Sequence, residues 1–105
     1  MSVVYTKRLM TAAGLSAELD ATVPAGKVWI VTDINAVART ITPPHAEVFA
    51  QILAGILFWY AETTDADHPW LQWRGRQVLV AGEVLRINAA FSTMDVTVIG
   101  YELTA

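Results

Sequence analysis

The sequence predicts an all-β protein: one antiparallel β-sandwich domain spanning residues 1–105. Three observations lead there. First, a turn phrase occurs twice. Val23-Pro24-Ala25-Gly26-Lys27-Val28-Trp29-Ile30 is echoed by Leu79-Val80-Ala81-Gly82-Glu83-Val84-Leu85-Arg86. In each copy glycine gives the corner its backbone freedom, and a run suited to a pleated, half-buried surface follows. Second, hydrophobic residues make up 54% of the chain and charged residues only 16%, against about 25% charged in an average domain. A small domain hides that much apolar surface most easily by packing against neighbours. Third, the closing segment is apolar on both alternating faces. Ile99, Tyr101 and Leu103 share one side, and Val96 and Val98 the other. Strands of that kind are usually covered on both sides, and in an antiparallel sandwich a second subunit often supplies the outer cover.

The elements follow in order. Val3, Tyr5 and Leu9 begin a first strand, and Thr11-Ala12-Ala13-Gly14 reads as a turn. Leu15 to Val23 alternates weakly and leads into the first corner. Lys27 to Ala38 is the clearest strand. Strict alternation puts Val28, Ile30 and Ile34 on one face, and Trp29, Val31, Asp33, Asn35 and Val37 on the other. The far half of that second face is expected to be wet or to end at a bend. Thr40-Ile41-Thr42-Pro43-Pro44-His45 is a loop, because two prolines remove ladder donors.

Glu47 to Glu62 is ambiguous. Phe49, Ile52, Leu53, Ile56 and Tyr60 fit a helical stripe, but the stretch also holds Gly55 and a Phe58-Trp59-Tyr60 run. Consistency with its surroundings favours two strands, or one long strand bent at Gly55. Thr63 to Pro69 is a polar loop. Trp70 to Trp73 follows, then a turn at Arg74-Gly75-Arg76. Gln77 to Val80, Glu83 to Phe91 and Asp95 to Leu103 are the last strands.

Composition narrows the function. The formal net charge is −3, and the lysines and arginines are scattered, which argues against a nucleic-acid partner. There is no cysteine, hence no disulfide and no thiolate metal site. Met1 to Arg8 lacks the apolar core of a secretion signal. The longest apolar stretch, Val48 to Ala61, is broken by Gln51 and falls short of the ~20 residues that span a membrane. No membrane partner is therefore expected.

No constellation has both the residue types and the spacing of a catalytic or metal site, so neither an enzyme nor a cofactor is expected. Asp65, Asp67 and His68 are the densest polar cluster, but they lack the further ligands of a calcium loop. His45 and His68 stand beside prolines, outside any zinc spacing. Ser2, Ser16 and Ser92 lack a nucleophile elbow. Nothing in the sequence brings Glu62 and Glu83 together as a glycosidase pair. The aromatics carry more weight. Trp59, Trp70 and Trp73 bracket one loop, and Trp29 stands apart. Such residues fill cores, anchor interfaces or stack on sugars.

Two segments then carry a resemblance. Trp73-Arg74-Gly75-Arg76-Gln77-Val78-Leu79-Val80-Ala81-Gly82-Glu83-Val84-Leu85 and Asp95-Val96-Thr97-Val98-Ile99-Gly100-Tyr101-Glu102-Leu103, with the Val23 to Trp29 corner, resemble small virion proteins of tailed bacteriophages. Those carry a Trp-x-Gly turn, a Gly-Glu corner and a closing Gly-Tyr strand. The matching parts cover about half the chain. Thr40 to Pro69 matches nothing in them. The resemblance implies a jelly-roll-like sandwich on the phage particle, a capsid decoration (cement) protein or a tail or fibre subunit. It implies no cofactor.

On that basis the expected partners are further copies of the chain, as a homotrimer, and the major capsid protein or another virion protein. The expected location is the capsid surface, after synthesis in the host cytoplasm. The expected interface anchors are Phe58, Trp59, Tyr60, Trp70 and Trp73, with Arg74 and Arg76 pairing with acidic residues. A carbohydrate-binding module using exposed tryptophans is the alternative from another class.

Overall fold

A computed structural model of the chain describes residues 6–39, 46–53, 55–65, 67–91 and 93–105. The expected first-strand residues Val3 and Tyr5, the proline loop through His45, and Ser2 and Ser92 lie outside them. Eight strands follow one another: β1 (Thr6–Leu15), β2 (Glu18–Thr22), β3 (Lys27–Ala38), β4 (Ala46–Leu53), β5 (Ile56–Thr63), β6 (Trp70–Val80), β7 (Val84–Ala90) and β8 (Met94–Thr104). They form two four-stranded antiparallel sheets, ordered β1-β8-β3-β6 and β2-β7-β4-β5. That order, with every connection except β4–β5 crossing between the sheets, is a jelly roll.

The core lies between the sheets, where alternate residues of each strand meet. Val31, Ile34, Leu79, Val98 and Met94 from the first sheet face Val48, Leu85 and Ile87 from the second, all inaccessible to solvent. Burying such a side chain contributes roughly 1.5–3 kcal/mol each. Every buried side-chain nitrogen and oxygen among the described residues has a hydrogen-bond partner.

The duplicated phrase forms two matching turns. Lys27 N–H donates to the Pro24 carbonyl (3.1 Å), and Glu83 N–H to the Val80 carbonyl (3.0 Å). The third residue of each turn is a left-handed glycine, Gly26 at φ +75° and Gly82 at φ +88°, as a type II turn requires. The turns also join each other. Val23 N–H donates to the Glu83 carbonyl, and Gly82 N–H to the Val23 carbonyl. One local signal thus closes one end of the sandwich from both halves of the chain.

The ambiguous middle segment forms two strands, β4 and β5, and no helix among its described residues. Gly55 sits at φ +117° and its N–H donates to the Ile52 carbonyl (2.8 Å). Two expected turns are absent. Thr11 to Gly14 continues β1 through a bulge, where left-handed Gly14 donates its N–H to Asp95 Oδ1 (2.9 Å). Arg74-Gly75-Arg76 lies inside β6.

A shared irregularity explains the second of these. From Gly100 to Ile99, β8 advances one residue, while β3 advances from Val31 to Asp33 and β6 from Gln77 to Arg74. One residue on, Ile99 to Val98 faces Arg8 to Met10 of β1. The neighbours of β8 therefore bulge at one level, which bends and twists a sheet. Thr32 is the extra residue of β3, and it reverses the alternation. Trp29 and Val31 point inward before it, and Ile34, Ala36 and Ala38 after it. The face assignment expected from strict alternation is therefore correct for the first half of β3 and reversed for Ile34. Asp33, Asn35 and Val37 share the outer face with Val28 and Ile30.

Candidate functional site

The outer face of the first sheet divides into two halves. Cross-strand pairing places Leu103, Val28 and Val80 in one row, and Tyr101, Ile30 and Val78 in the next. These strands are already buried on their inner side, so the rows form a second apolar layer. Val78 and Val80 remain about half exposed. Past the bulge the face turns polar, with Asp33 beside Arg74 and Asn35 beside Gln72.

The bulges open a cleft in the apolar half. It has a volume of about 370 Å³ and is lined by Ile30, Thr32, Gly75, Arg76, Tyr101 and Leu103. Apolar walls with a few polar groups are the usual make-up of a binding cleft. Gly75 lets the Trp73 ring lie close against the backbone, because a Cβ there would stand 2.8 Å from it. The Thr32 hydroxyl donates within the sheet, 2.9 Å from Asp33 Oδ2 and 3.3 Å from the Ile99 carbonyl. Arg76 is exposed, and so is Arg8, which lies across the sheet beside Ile99. Neither makes an ion pair or hydrogen bond among the described residues, whereas Arg74 Nε donates to Asp33 Oδ1 (3.1 Å).

The seven expected anchors are dispersed. Trp59 is only 9% exposed and belongs to the core, so it is withdrawn as a surface anchor. The bulge at Phe58 in β5 turns the Trp59 ring inward opposite Ala50. Phe58 and Trp73 are half-buried and meet edge to face, with ring centroids 5.2 Å apart. They close the side of the sandwich between edge strands β5 and β6. Trp70 is 60% exposed at the start of β6, paired with Val37 and 5.6 Å from the His68 ring. Arg74 and Arg76 are exposed on the outer face of the first sheet.

Tyr60 is exposed on the opposite face, the outside of the second sheet. It stacks on Phe49 at 5.3 Å, and its hydroxyl lies 3.1 Å from Glu47 Oε1 and 3.0 Å from Glu62 Oε2. Desolvation, then the two carboxylates, push its pKa up to about 12. The loop cluster Asp65, Asp67 and His68 is held by contacts of its own. Asp65 receives the Asp67 N–H (2.8 Å) and meets His68 Nδ1 (2.7 Å), and the His68 contact chiefly lowers its pKa. No group of three or more metal-ligating side chains forms among the described residues.

Alternation had placed Ile99, Tyr101 and Leu103 together, but the cleft itself was not anticipated. It depends on β1, β3 and β6 bulging at one level beside a regular β8, and no single segment encodes that. No protein-family model matches the sequence, and no curated protein matches it.

Proposed function

We propose that this chain is a structural subunit that works by assembly: a virion protein of the capsid decoration kind, tying neighbouring coat subunits together. The observation that carries the proposal is the second apolar layer on the outside of the first sheet, Val28, Ile30, Val78, Val80, Tyr101 and Leu103. A sheet already buried on one side has no folding reason to be apolar on the other, whereas a subunit interface does. The resemblance of the β6–β7 and β8 segments to phage virion proteins supports a phage particle as the setting. Apolar burial at ~25 cal/mol per Å², less the cost of association, drives the contact. A tail or fibre subunit would use the same surface in a different symmetry. The distribution of tryptophans weighs against a sugar platform, because Trp29 and Trp59 are in the core and Trp73 is engaged by Phe58.

The test is co-sedimentation of the purified chain with phage heads lacking their decoration, against assembled tails. Binding to heads that Val78→Asp/Val80→Asp abolishes, with the variant still folded, is the expected result. Binding to tails alone would move the placement. Absence of both particle binding and self-association would overturn the proposal.

A further inference from the structure

The two sheets end in four edge strands, β1 and β6 in the first and β2 and β5 in the second. An edge leaves backbone N–H and C=O groups facing outward, a template for a further strand that charge, bulges or brevity ordinarily blunt. Three of these edges carry charge. β1 has Lys7 and Arg8 and two irregularities of register. β2 is five residues long and has Glu18 and Asp20. β6 is broken by Arg74 and Arg76 at its bulge, and the Val80 N–H at its end is taken by Glu83 Oε1 (2.7 Å). β5 differs: it has a bulge at Phe58 but no charge from Ile56 to Ala61. Ile56 is 61% exposed and Leu57 53%, and Tyr60 is exposed on the same strand. Large apolar and aromatic side chains in sequence suit strand pairing. Behind the edge Phe58 and Trp73 meet, so β5 is backed by packed rings. Among the described residues no strand pairs with its outer side.

We infer that two copies of this chain pair through β5, edge to edge and antiparallel, joining their second sheets into one sheet across a two-fold axis. This deepens the assembly proposal by naming a partner, and rests on it. Charge selects the occupant. The β1, β2 or β6 edge of another copy would bring charged side chains such as Arg76 against Ile56 and Leu57, at a cost in desolvation. Only β5 meets β5 with apolar side chains. Antiparallel pairing of a strand with itself is also isologous: each copy gives and receives the same hydrogen bonds, and the contact closes as a dimer. The narrow side of the molecule measures 49 by 20 Å, room for the ~800 Å² per partner that a specific interface buries. The pairing leaves the outer face of the first sheet free for the particle, and it gives a dimer in place of the trimer expected from the resemblance.

The experiment is light scattering after size exclusion, with amide hydrogen exchange, on the intact chain and two variants. By about 100 µM the unmodified chain should run at twice the 11.5 kDa of one copy, with an affinity that changes less than about threefold from about 50 to about 500 mM salt, because apolar and backbone contacts are little screened. Amides of β5 should gain protection as rising concentration carries the chain from monomer to dimer, and those of β1, β2 and β6 should not. Ile56→Lys/Leu57→Lys puts like charges on both sides of the contact and should weaken pairing about a hundredfold. Both sites are more than half exposed, so this variant should fold. Melting curves check that, and the exchange pattern of the unmodified chain decides the matter if it does not. Val78→Asp/Val80→Asp, on the face offered to the particle, should remain dimeric. A monomer or a trimer at that concentration, steep salt dependence, protection that is unchanged in β5 or arises at another edge, or dimerisation that the first variant leaves intact or the second abolishes would each overturn the inference. Heads bound by a monomeric chain would leave the assembly proposal standing while this one fell.

Discussion

Replacing Gly100 with alanine tests the geometry on which the cleft depends. Gly100 lies in β8 opposite Val31, one step before the bulge of β3. A Cβ there would collide with the Ile30 carbonyl oxygen and stand 2.9 Å from the Ile30 carbonyl carbon and 3.0 Å from Val31 Cα. All three atoms are backbone, and β8 and β3 are both interior strands, so no rotamer change relieves the contact. The sheet must open locally. Overpacking costs about 1–3 kcal/mol, and each ladder bond weakened adds about 1 kcal/mol. Gly100 is outside the left-handed region, so alanine recovers about 0.4–1 kcal/mol by restricting the unfolded chain. The net is about 2–4 kcal/mol of destabilisation, a fall in Tm of roughly 10–25 °C for a domain of this size. Two further glycines calibrate it. Gly26 and Gly82 have open space around a Cβ but positive φ, so alanine there should cost about 1–2 kcal/mol, for backbone conformation alone. Urea unfolding followed by tryptophan fluorescence ranks the variants. Gly100→Ala no less stable than Gly82→Ala would refute the reasoning, because it would mean that the β3–β8 spacing yields freely.

Other substitutions separate core from surface. Ile87→Ala empties a site with no solvent access and should cost about 2–5 kcal/mol in urea unfolding. Trp73→Ala should destabilise measurably through loss of the Phe58 contact, while Trp70→Ala should stay within about 0.5 kcal/mol of the parent; equal effects would contradict their placement. Tyr60 should titrate near 12, read as the absorbance change that Tyr60→Phe removes. Since its folded pKa is raised, the stabilising contribution is whole below pH ~10, the unfolded value, and is lost as pH rises through the folded one. Glu102 is the opposite case: the Trp29 indole N–H (2.9 Å), then Lys7, hold its pKa below the usual value. Its contribution is present above the unfolded pKa and disappears as pH falls through the depressed one. Glu102→Gln should flatten that acid limb of the stability curve; an unchanged limb would assign it to other carboxylates.

Much of the fold was legible because its signals are local. The two Ala-Gly corners announced two turns, since a left-handed third residue demands glycine whatever surrounds it. Alternation located β3 and β8, and Gly55 marked the β4–β5 connection. Features that depend on register were not legible. The turn read at Arg74-Gly75-Arg76 is a mid-strand bulge, and nothing within those three residues reveals that β3 and β8 advance at different rates beside them. Thr32 reverses the faces of β3, an event visible only against its neighbours. Trp59 and Trp70 are the same residue type, each in a strand of the same sandwich, yet a bulge at Phe58 buries one while an edge-strand start exposes the other. The cleft belongs to the same class. Tyr101, Ile30 and Arg76 line one cleft because jelly-roll order sets β8, β3 and β6 side by side. Local chemistry thus fixed the strands and corners, and only strand order and register decided which side chains share a face.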